Sequence, residues 1–282
     1  MIPSDTRLPV TGGDAKRAYV REVFTGIAPR YDLLNHVLSL NADRRWRRAA
    51  VDALGWEERP AGRYLDLCAG TLDLAAELGN RVGFAGRVVA ADFVPAMLRQ
   101  GRGKSPRALP TAADALGLPF GDAEFDGATV GFGVRNLMDL DAGLREAARV
   151  IRPGGRLVVL EFTTPRRQPL RGLYLGYFTR VLPRIGRLVS KHRSAYDWLP
   201  ASVLAFPEPA ALAARLEGAG FAPVEWRTMW GGIVALHIAT RSRTSAWTRC
   251  ATCSRRSLTP ASWSGSPDRC ARTWRSPRSP TG

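Results

Sequence analysis

The chain has 282 residues, of which 45% are hydrophobic and 23% are charged. These values suit a globular protein with a buried core. No apolar run reaches the roughly 18–20 residues that a membrane-spanning helix needs, and the N-terminus lacks the apolar stretch of a secretory signal. The formal net charge is +16, almost all of it from arginine, so the sequence predicts a basic cytoplasmic protein.

Between residues 18 and 241 short apolar runs alternate with helical stretches. The runs of strand length are Arg63–Cys68, Arg87–Asp92, Phe125–Phe132 and Arg156–Phe162. The stretches with a helical pattern are Leu72–Leu78, Pro95–Arg102 and Leu140–Val150. Strands separated by helices are typical of βαβ units. We therefore predict an α/β fold with a mostly parallel sheet that carries helices on both faces.

The end of this region shows a different pattern. Phe221–Met229 and Ile233–Ala239 read as two strands joined through Trp230-Gly231-Gly232. Such a short connection cannot hold the crossover that parallel strands require, so we predict an antiparallel pair. A plain dinucleotide-binding domain lacks such a pair.

A turn of small residues follows the first predicted strand. Ala69, Gly70 and Thr71 let the backbone approach a ligand closely, and the N-terminus of the helix that follows favours negative charge. Asp66 precedes this turn. A carboxylate there suits the sulfonium and amino groups of S-adenosylmethionine and would repel a pyrophosphate. We expect Asp66, Gly70 and Thr71 to bind that cofactor.

Two further acids are placed for an adenosine. Asp92 ends the second predicted strand, 22 residues beyond Gly70, where a carboxylate can accept both ribose hydroxyls. Asp114 and Ala115 follow the third strand, where an adenine ring would meet a polar side chain. Taken alone, Asp92 could equally be a solvated acid at a strand end. With the loop and the final hairpin, these residues predict a Rossmann-like class I methyltransferase with seven strands.

Both ends of the chain are predicted to lie outside the domain. Residues 1–17 are expected to be flexible. Ser242–Gly282 holds eight arginines, one acid and four prolines, with Leu258 as its only large aliphatic residue, so it is predicted to be disordered. A basic arm for nucleic acid or membrane and a non-functional extension are both open interpretations. Its three cysteines lack a fourth ligand at zinc spacing, and we expect no metal.

Three segments carry a specific family resemblance. They are Tyr31-Asp32-Leu33-Leu34-Asn35-His36-Val37-Leu38-Ser39 with Arg45-Trp46, Phe132-Gly133-Val134-Arg135-Asn136, and Arg149–Leu157 with Leu160-Glu161-Phe162-Thr163. On these motifs, residues 18–240 resemble the quinone C-methyltransferases of menaquinone and ubiquinone biosynthesis, and most closely the demethylmenaquinone type. The resemblance implies transfer of a methyl group from S-adenosylmethionine to a ring carbon of a polyprenylated quinol.

The same resemblance assigns candidate catalytic residues. Arg135 is expected to stabilise the developing phenolate, because its pKa is too high for it to act as a base. Asn136, Tyr196 and Asp32 are expected to orient the ring or pass a proton. The alternatives are an ion pair at a strand end for Arg135 and a packing aromatic for Tyr196.

The chain departs from the family pattern at several positions near the cofactor. Leu72 replaces a loop glycine, Asp43 replaces a histidine and Asp114 replaces an asparagine. Gly131 stands where many relatives place a serine that contacts the cofactor, and we expect Gly131 itself to lie against it. Because backbone groups dominate such loops, we expect cofactor binding to be retained.

A basic, apolar stretch lies between Arg166 and Arg193, with eight basic residues and no acid. We expect a cover over the active site that admits a prenyl tail and touches anionic lipid at the inner face of the membrane. A core helix with a solvated basic edge is the alternative.

Two other functions remain open at this point. One is a methyltransferase of the same fold with a different small hydrophobic acceptor. The other is a non-catalytic, basic nucleic-acid-binding protein. The core lacks an aromatic platform in a basic strand face, so we expect no nucleic-acid partner. A homo-oligomer is possible.

Overall fold

The computed structural model describes residues 8–9, 13–39, 41–181 and 193–243. Its strands form one sheet and are β1 (Arg63–Leu67), β2 (Arg87–Asp92), β3 (Ala108–Ala112), β4 (Phe125–Gly131), β5 (Ile151–Phe162), β6 (Phe221–Met229) and β7 (Val234–Arg241). Its α-helices are α1 (Asp14–Ile27), α2 (Tyr31–Leu38), α3 (Ala42–Ala53), α4 (Asp73–Gly79), α5 (Pro95–Gly101), α6 (Leu140–Val150), α7 (Leu170–Gly176), α8 (Arg193–Leu204) and α9 (Pro209–Gly218). None of these described helices is long and apolar enough to cross a membrane.

The strand order is β3-β2-β1-β4-β5-β7-β6. Strands β1 to β5 pair in parallel, and β7 pairs antiparallel with both β5 and β6. The predicted seven-stranded, mostly parallel sheet with a C-terminal antiparallel hairpin is therefore confirmed. The chain reverses direction across the sheet between β1 and β4, and ligands bind at such a switch point in open α/β sheets.

Two hydrophobic clusters cover the two faces of the sheet. Successive side chains of a strand point to opposite faces, so Leu65 and Leu67 belong to one cluster while Tyr64 belongs to the other. The first cluster includes residues of α6 and α9, and the second includes residues of α3 and α4. Asp66 therefore points to the same face as Tyr64, towards the helices that carry the first family signature.

The N-terminal boundary differs from the prediction. Helix α1 begins at Asp14, inside the segment 1–17 that was expected to be flexible, so the folded domain starts before residue 18. Lys16 in the first turn of this helix is buried, as are Val20, Val23 and Ile27 further along, so the packing of the helix begins in its first turn. Residues 1–7 and 10–12 lie outside the described residues.

The C-terminal boundary agrees more closely with the sequence. Strand β7 ends at Arg241, and the N–H of Ser242 donates to the carbonyl of Gly220 at 3.1 Å. A compact unit ends at Arg243. Residues 244–282 lie outside the described residues, so the disorder of this tail stays a prediction.

A chain that ends at Arg243 should keep the melting temperature of the full chain, because all seven strands precede the cut. Scanning calorimetry of the two chains tests this. A chain that ends at Ala219 loses β6 and β7 and should fail to unfold cooperatively, which makes it the matched control. A fall of more than about 4 °C after the first truncation, roughly 1 kcal/mol for a domain of this size, would show that the tail stabilises the domain.

Candidate active site

A cavity that is partly open to solvent lies at the carboxyl ends of β1, β2 and β4. Its position is the switch point of the sheet. The predicted site residues that line it are Gly70, Asp92, Asp114, Ala115, Gly131 and Asn136. A smaller adjoining cavity shares Gly70 and Gly131 and adds Asp66 and Thr71. All seven predicted cofactor residues therefore lie on these two cavities.

Asp92 ties two loops together at the centre of the site. Its carboxylate accepts the N–H groups of Gly70 and Val94, each at 2.8 Å. Burial raises the pKa of Asp92, and the two N–H donors oppose that rise. Each carboxylate oxygen has two lone pairs, so both can still accept a hydroxyl. A Cβ on Gly70 would make ordinary contact with the end of the Met97 side chain at 3.5 Å, so no backbone closes over Gly70.

Asp66 is enclosed more tightly. The Ala75 N–H and the Thr129 hydroxyl donate to its carboxylate at 3.0 and 3.1 Å. Burial raises the pKa of Asp66 to about 7, and the nearby Asp73 and Asp92 charges add to the shift. The side chain therefore titrates close to neutral pH, and a cation beside it would favour the ionised form.

Gly131 packs against a neighbouring side chain. A Cβ at this position would lie 2.7 Å from Cδ1 of Leu74, so the serine that the family resemblance implies would fit only after the end of this leucine shifted. Leu72, the replacement for the loop glycine, adopts φ = 66° and is 1% exposed. Its burial in the core offsets the left-handed backbone, which costs a non-glycine residue roughly 1–3 kcal/mol.

Asp32 acts on the loop and lines neither of the two described cavities. It accepts the Thr71 hydroxyl at 2.5 Å and pairs with Nζ of Lys104 at 2.6 Å. The same Lys104 pairs with Asp73 at 2.6 Å, and Asp73 pairs with Arg47 at 3.0 Å. In the structure Asp32 therefore contacts the loop that contains Thr71. From the sequence we expected it to orient the acceptor ring or pass a proton.

Helix α1 covers the larger of these two cavities. The sequence did not lead us to predict this helix as part of the site. Arg17, Val20 and Phe24 line the cavity, and Arg17 pairs with Asp114 at 2.6 Å. The apolar spacing of Val20, Phe24 and Ile27 is the helical signal that could have revealed this element.

Lys16 fixes the same helix to the turn after β4. Its buried ammonium donates to the carbonyls of Arg135 and Leu137 at 3.0 and 2.6 Å. Burial lowers the pKa of Lys16, and the charge of Arg135 lowers it further. The first turn of α1 is therefore attached to the segment that carries the candidate catalytic arginine.

Arg135 is buried and lines neither described cavity. Its Nη1 donates to the carbonyl of Phe132 and pairs with Glu161 at 2.7 Å. Burial raises the pKa of Glu161, and Arg135 opposes that rise. Arg135 therefore forms an ion pair at the end of a strand, as the alternative interpretation expected, but this pair is buried inside the protein. Glu161 was missed as a site residue, although an acid at the end of an otherwise apolar strand was the available signal.

Asn136 lines the larger cavity with a fixed amide. Its Oδ1 accepts the indole N–H of Trp198 at 2.9 Å, and Trp198 is buried in α8. This bond attaches α8 to the turn after β4. Tyr196 belongs to the same helix, but its side chain lies outside the described residues, so its role stays a prediction.

Comparison with known proteins agrees with this geometry. Residues 13–241 match the model of the ubiE/COQ5 methyltransferase family. The demethylmenaquinone methyltransferase of Mycolicibacterium vanbaalenii is 49% identical over 79% of this chain and 95% of its own length. That of Thermus thermophilus is also 49% identical, over 78% of this chain and its whole length.

A solved structure supports the fold. The S-adenosylmethionine-dependent methyltransferase of Thermotoga maritima, a possible histamine N-methyltransferase, superposes with a TM-score of 0.54 at 18% identity. The match covers 78% of this chain and 99% of that one. At this identity the likeness shows a common Rossmann-like methyltransferase architecture and nothing about the acceptor.

The Asp66→Asn variant should be more stable than the parent above pH 7. The fold holds the pKa of Asp66 at about 7, against about 3.9 in an unfolded chain. A raised pKa favours the neutral carboxyl, so the parent loses stability as the pH rises from about 4 to 7. The amide avoids that cost, which is at most about 4 kcal/mol.

Urea unfolding between pH 5 and 8 tests this expectation. The stability difference should grow with pH, whereas Asp122→Asn, at a largely exposed turn position, should show little change at any pH. A difference that does not vary with pH would contradict the assignment.

Proposed function

The chain belongs to the ubiE/COQ5 methyltransferase family, and on that premise we propose that it methylates a ring carbon of a polyprenylated quinol of the demethylmenaquinol type. The observation that carries the proposal is the position of Phe132. This residue lines both cavities, and its ring packs on Phe162 with centroids 4.5 Å apart. A flat apolar acceptor would thus meet the cofactor at an aromatic surface. The two relatives at 49% identity support the quinol as that acceptor.

The residues present fit S-adenosylmethionine. Asp92 would accept the ribose hydroxyls, and Asp114 with Ala115 would border the adenine. The bare backbone at Gly70 would allow close approach of the methionine moiety, whose ammonium group would lie near Asp66.

S-adenosylmethionine would supply an electrophilic methyl group on a sulfonium, which is a good leaving group without a metal. The acceptor carbon becomes nucleophilic when the neighbouring phenol loses its proton. The ring carbon would take the methyl group while sulfur keeps the electron pair of the broken carbon–sulfur bond. The proton displaced from that carbon would pass to solvent, which restores the aromatic ring.

Arg135 serves this chemistry as a fixed positive charge. A guanidinium carries N–H donors and no acceptor, so it would stabilise the phenolate and would not remove the proton. Its pairing with Glu161 holds its orientation, and preorganised donors of this kind lower the barrier most. Asn136, held by Trp198, would orient the ring from the cavity side.

We also propose that the face around α7 rests on anionic lipid. Leu173 is 69% exposed there, and Trp226 and Trp230 are exposed on the neighbouring hairpin. The basic residues Arg166, Arg167 and Arg171 line an adjoining cleft. Residues 182–192 of the predicted cover lie outside the described residues. Sedimentation with vesicles should show binding to anionic lipid that salt weakens, and equal binding to zwitterionic vesicles would exclude this.

The acceptor is tested in a bacterial host that lacks its own quinone C-methyltransferase. Mass spectrometry of the extracted quinones should show methylated menaquinone when this chain is expressed. Continued accumulation of the demethylated quinone, with an active methyltransferase on another hydrophobic acceptor, would favour the alternative acceptor.

Asp92→Ala should lower the affinity for S-adenosylmethionine at least about tenfold, or 1.4 kcal/mol, because both the ribose acceptor and the tie between two loops are lost. Titration calorimetry measures this. Asp122→Ala, with a largely exposed side chain, is the control. An unchanged affinity in Asp92→Ala would refute the ribose assignment.

Arg135→Lys should lower turnover on the order of 10²-fold, while the affinity for S-adenosylmethionine stays within a few-fold. An ammonium can still pair with Glu161 but cannot present the planar guanidinium. Steady-state kinetics with calorimetry separates the two effects, and Arg152→Lys, at a part-exposed ion pair, is the control. Loss of cofactor affinity would instead place Arg135 in the cofactor site, and unchanged turnover would leave only the structural ion pair.

A further inference from the structure

A row of aromatic rings extends from the cofactor cavity towards α7. Phe132 packs on Phe162, whose ring centroid lies 6.5 Å from that of Phe178, and Phe178 stacks on Tyr174 at 4.9 Å. Trp46 meets Phe162 edge-on. Tyr174 and Phe178 are themselves buried. Such planar apolar surfaces suit a planar aromatic ligand.

Two buried polar atoms near this row have no hydrogen-bond partner within the described part of the chain. They are the Tyr174 hydroxyl and Nε of Arg135. Tyr174 is 7% exposed and Arg135 is 8% exposed, so bulk water does not readily satisfy either donor. A buried donor left unpaired destabilises the folded protein, and a ligand oxygen that accepts from it would remove this cost.

The two donors lie near one ring, because Phe162 packs against the hydrophobic cluster that contains Tyr174 and also lies under Arg135. The guanidinium carbon of Arg135 is 5.6 Å from the centroid of Phe162. Among the described residues, Arg135 and Glu161 are the charged groups that act on the Tyr174 hydroxyl. Burial raises the pKa of Tyr174 well above its usual value, so at neutral pH the phenol keeps its proton and remains a donor. Glu161 occupies Nη1 of Arg135, which leaves Nε for a ligand.

We propose that the Tyr174 hydroxyl, together with Nε of Arg135, donates a hydrogen bond to the quinol oxygen beside the reacting carbon. This inference rests on the proposed function, and it adds a second substrate-binding donor, supplied by α7. Two donors aimed at one oxygen stabilise its ionised form more than its neutral form. The bound quinol would therefore ionise at a lower pH than free quinol.

Tyr174→Phe removes the hydroxyl and keeps the ring, so it tests the donor with little change in packing. The assay measures kcat/KM from pH 6 to 9 on a reduced geranyl naphthoquinone, with saturating S-adenosylmethionine. Tyr177→Phe, one helical turn away with a part-exposed ring, is the matched control. Titration calorimetry with S-adenosylmethionine and scanning calorimetry run in parallel on each variant.

At neutral pH, Tyr174→Phe should lose about tenfold in kcat/KM, as expected for one hydrogen bond to a charged oxygen. The deficit should shrink as the pH rises, because the quinol then ionises without the donor. Cofactor affinity, melting temperature and the Tyr177→Phe control should stay at parental values. A deficit that is equal at every pH would indicate altered packing, and parental kinetics would show that the hydroxyl is idle; either result overturns the proposal.

The experiment also distinguishes a wrong role for Tyr174 from a wrong proposed function. If the parent chain methylates the naphthoquinol and Tyr174→Phe does so equally well, only the role of Tyr174 is wrong. If the parent chain methylates no quinol, the proposed function fails and the inference fails with it.

Discussion

The buried ion pair between Arg135 and Glu161 is the interaction around which the site is organised. Removing two charges from water costs several kcal/mol per ion, and only close pairing with further hydrogen bonds repays it. Here the carbonyl of Phe132 and the N–H of Phe162 supply those bonds. Phe132 and Phe162 are also the residues at which the aromatic row meets the sheet. The backbone of Phe132 and Phe162 therefore holds the ion pair in place, and their side chains begin the aromatic row.

Other elements converge on this segment. Lys16 binds the carbonyl of Arg135 and thereby attaches α1, which covers the larger cavity. Trp198 binds Asn136 and attaches α8. Because Asn136 faces the cavity while Arg135 faces Glu161, the turn after β4 presents an amide on one side and a guanidinium on the other. One short turn thus connects the cofactor cavity, the helix above it and the aromatic row.

The features that the sequence predicted well are those governed by local patterns. Strand β2 matches its predicted bounds because a run of buried aliphatic residues ends at an acid, and the contact between Asp92 and Gly70 agrees with the spacing of a strand-end acid from the loop. The direction of Arg135 towards Glu161 could not be predicted, since it depends on how β4 and β5 align. Likewise, Asp32 sits in a motif shared with the family, but its partners Thr71 and Lys104 come from distant parts of the chain.

Several groups at the site destabilise the folded protein. Asp66 is buried with its pKa raised to about 7, and Phe132 and Leu72 hold left-handed backbone angles. The Tyr174 hydroxyl and Nε of Arg135, which have no partner among the described residues, add to these costs. The two hydrophobic clusters on the faces of the sheet supply the stability that tolerates them. A cation beside Asp66 and an oxygen beside Tyr174 would each relieve part of the cost. A ligand that binds only the folded state stabilises it by mass action. Ligand contacts with Asp66 and Tyr174 would therefore raise the stability of the whole domain.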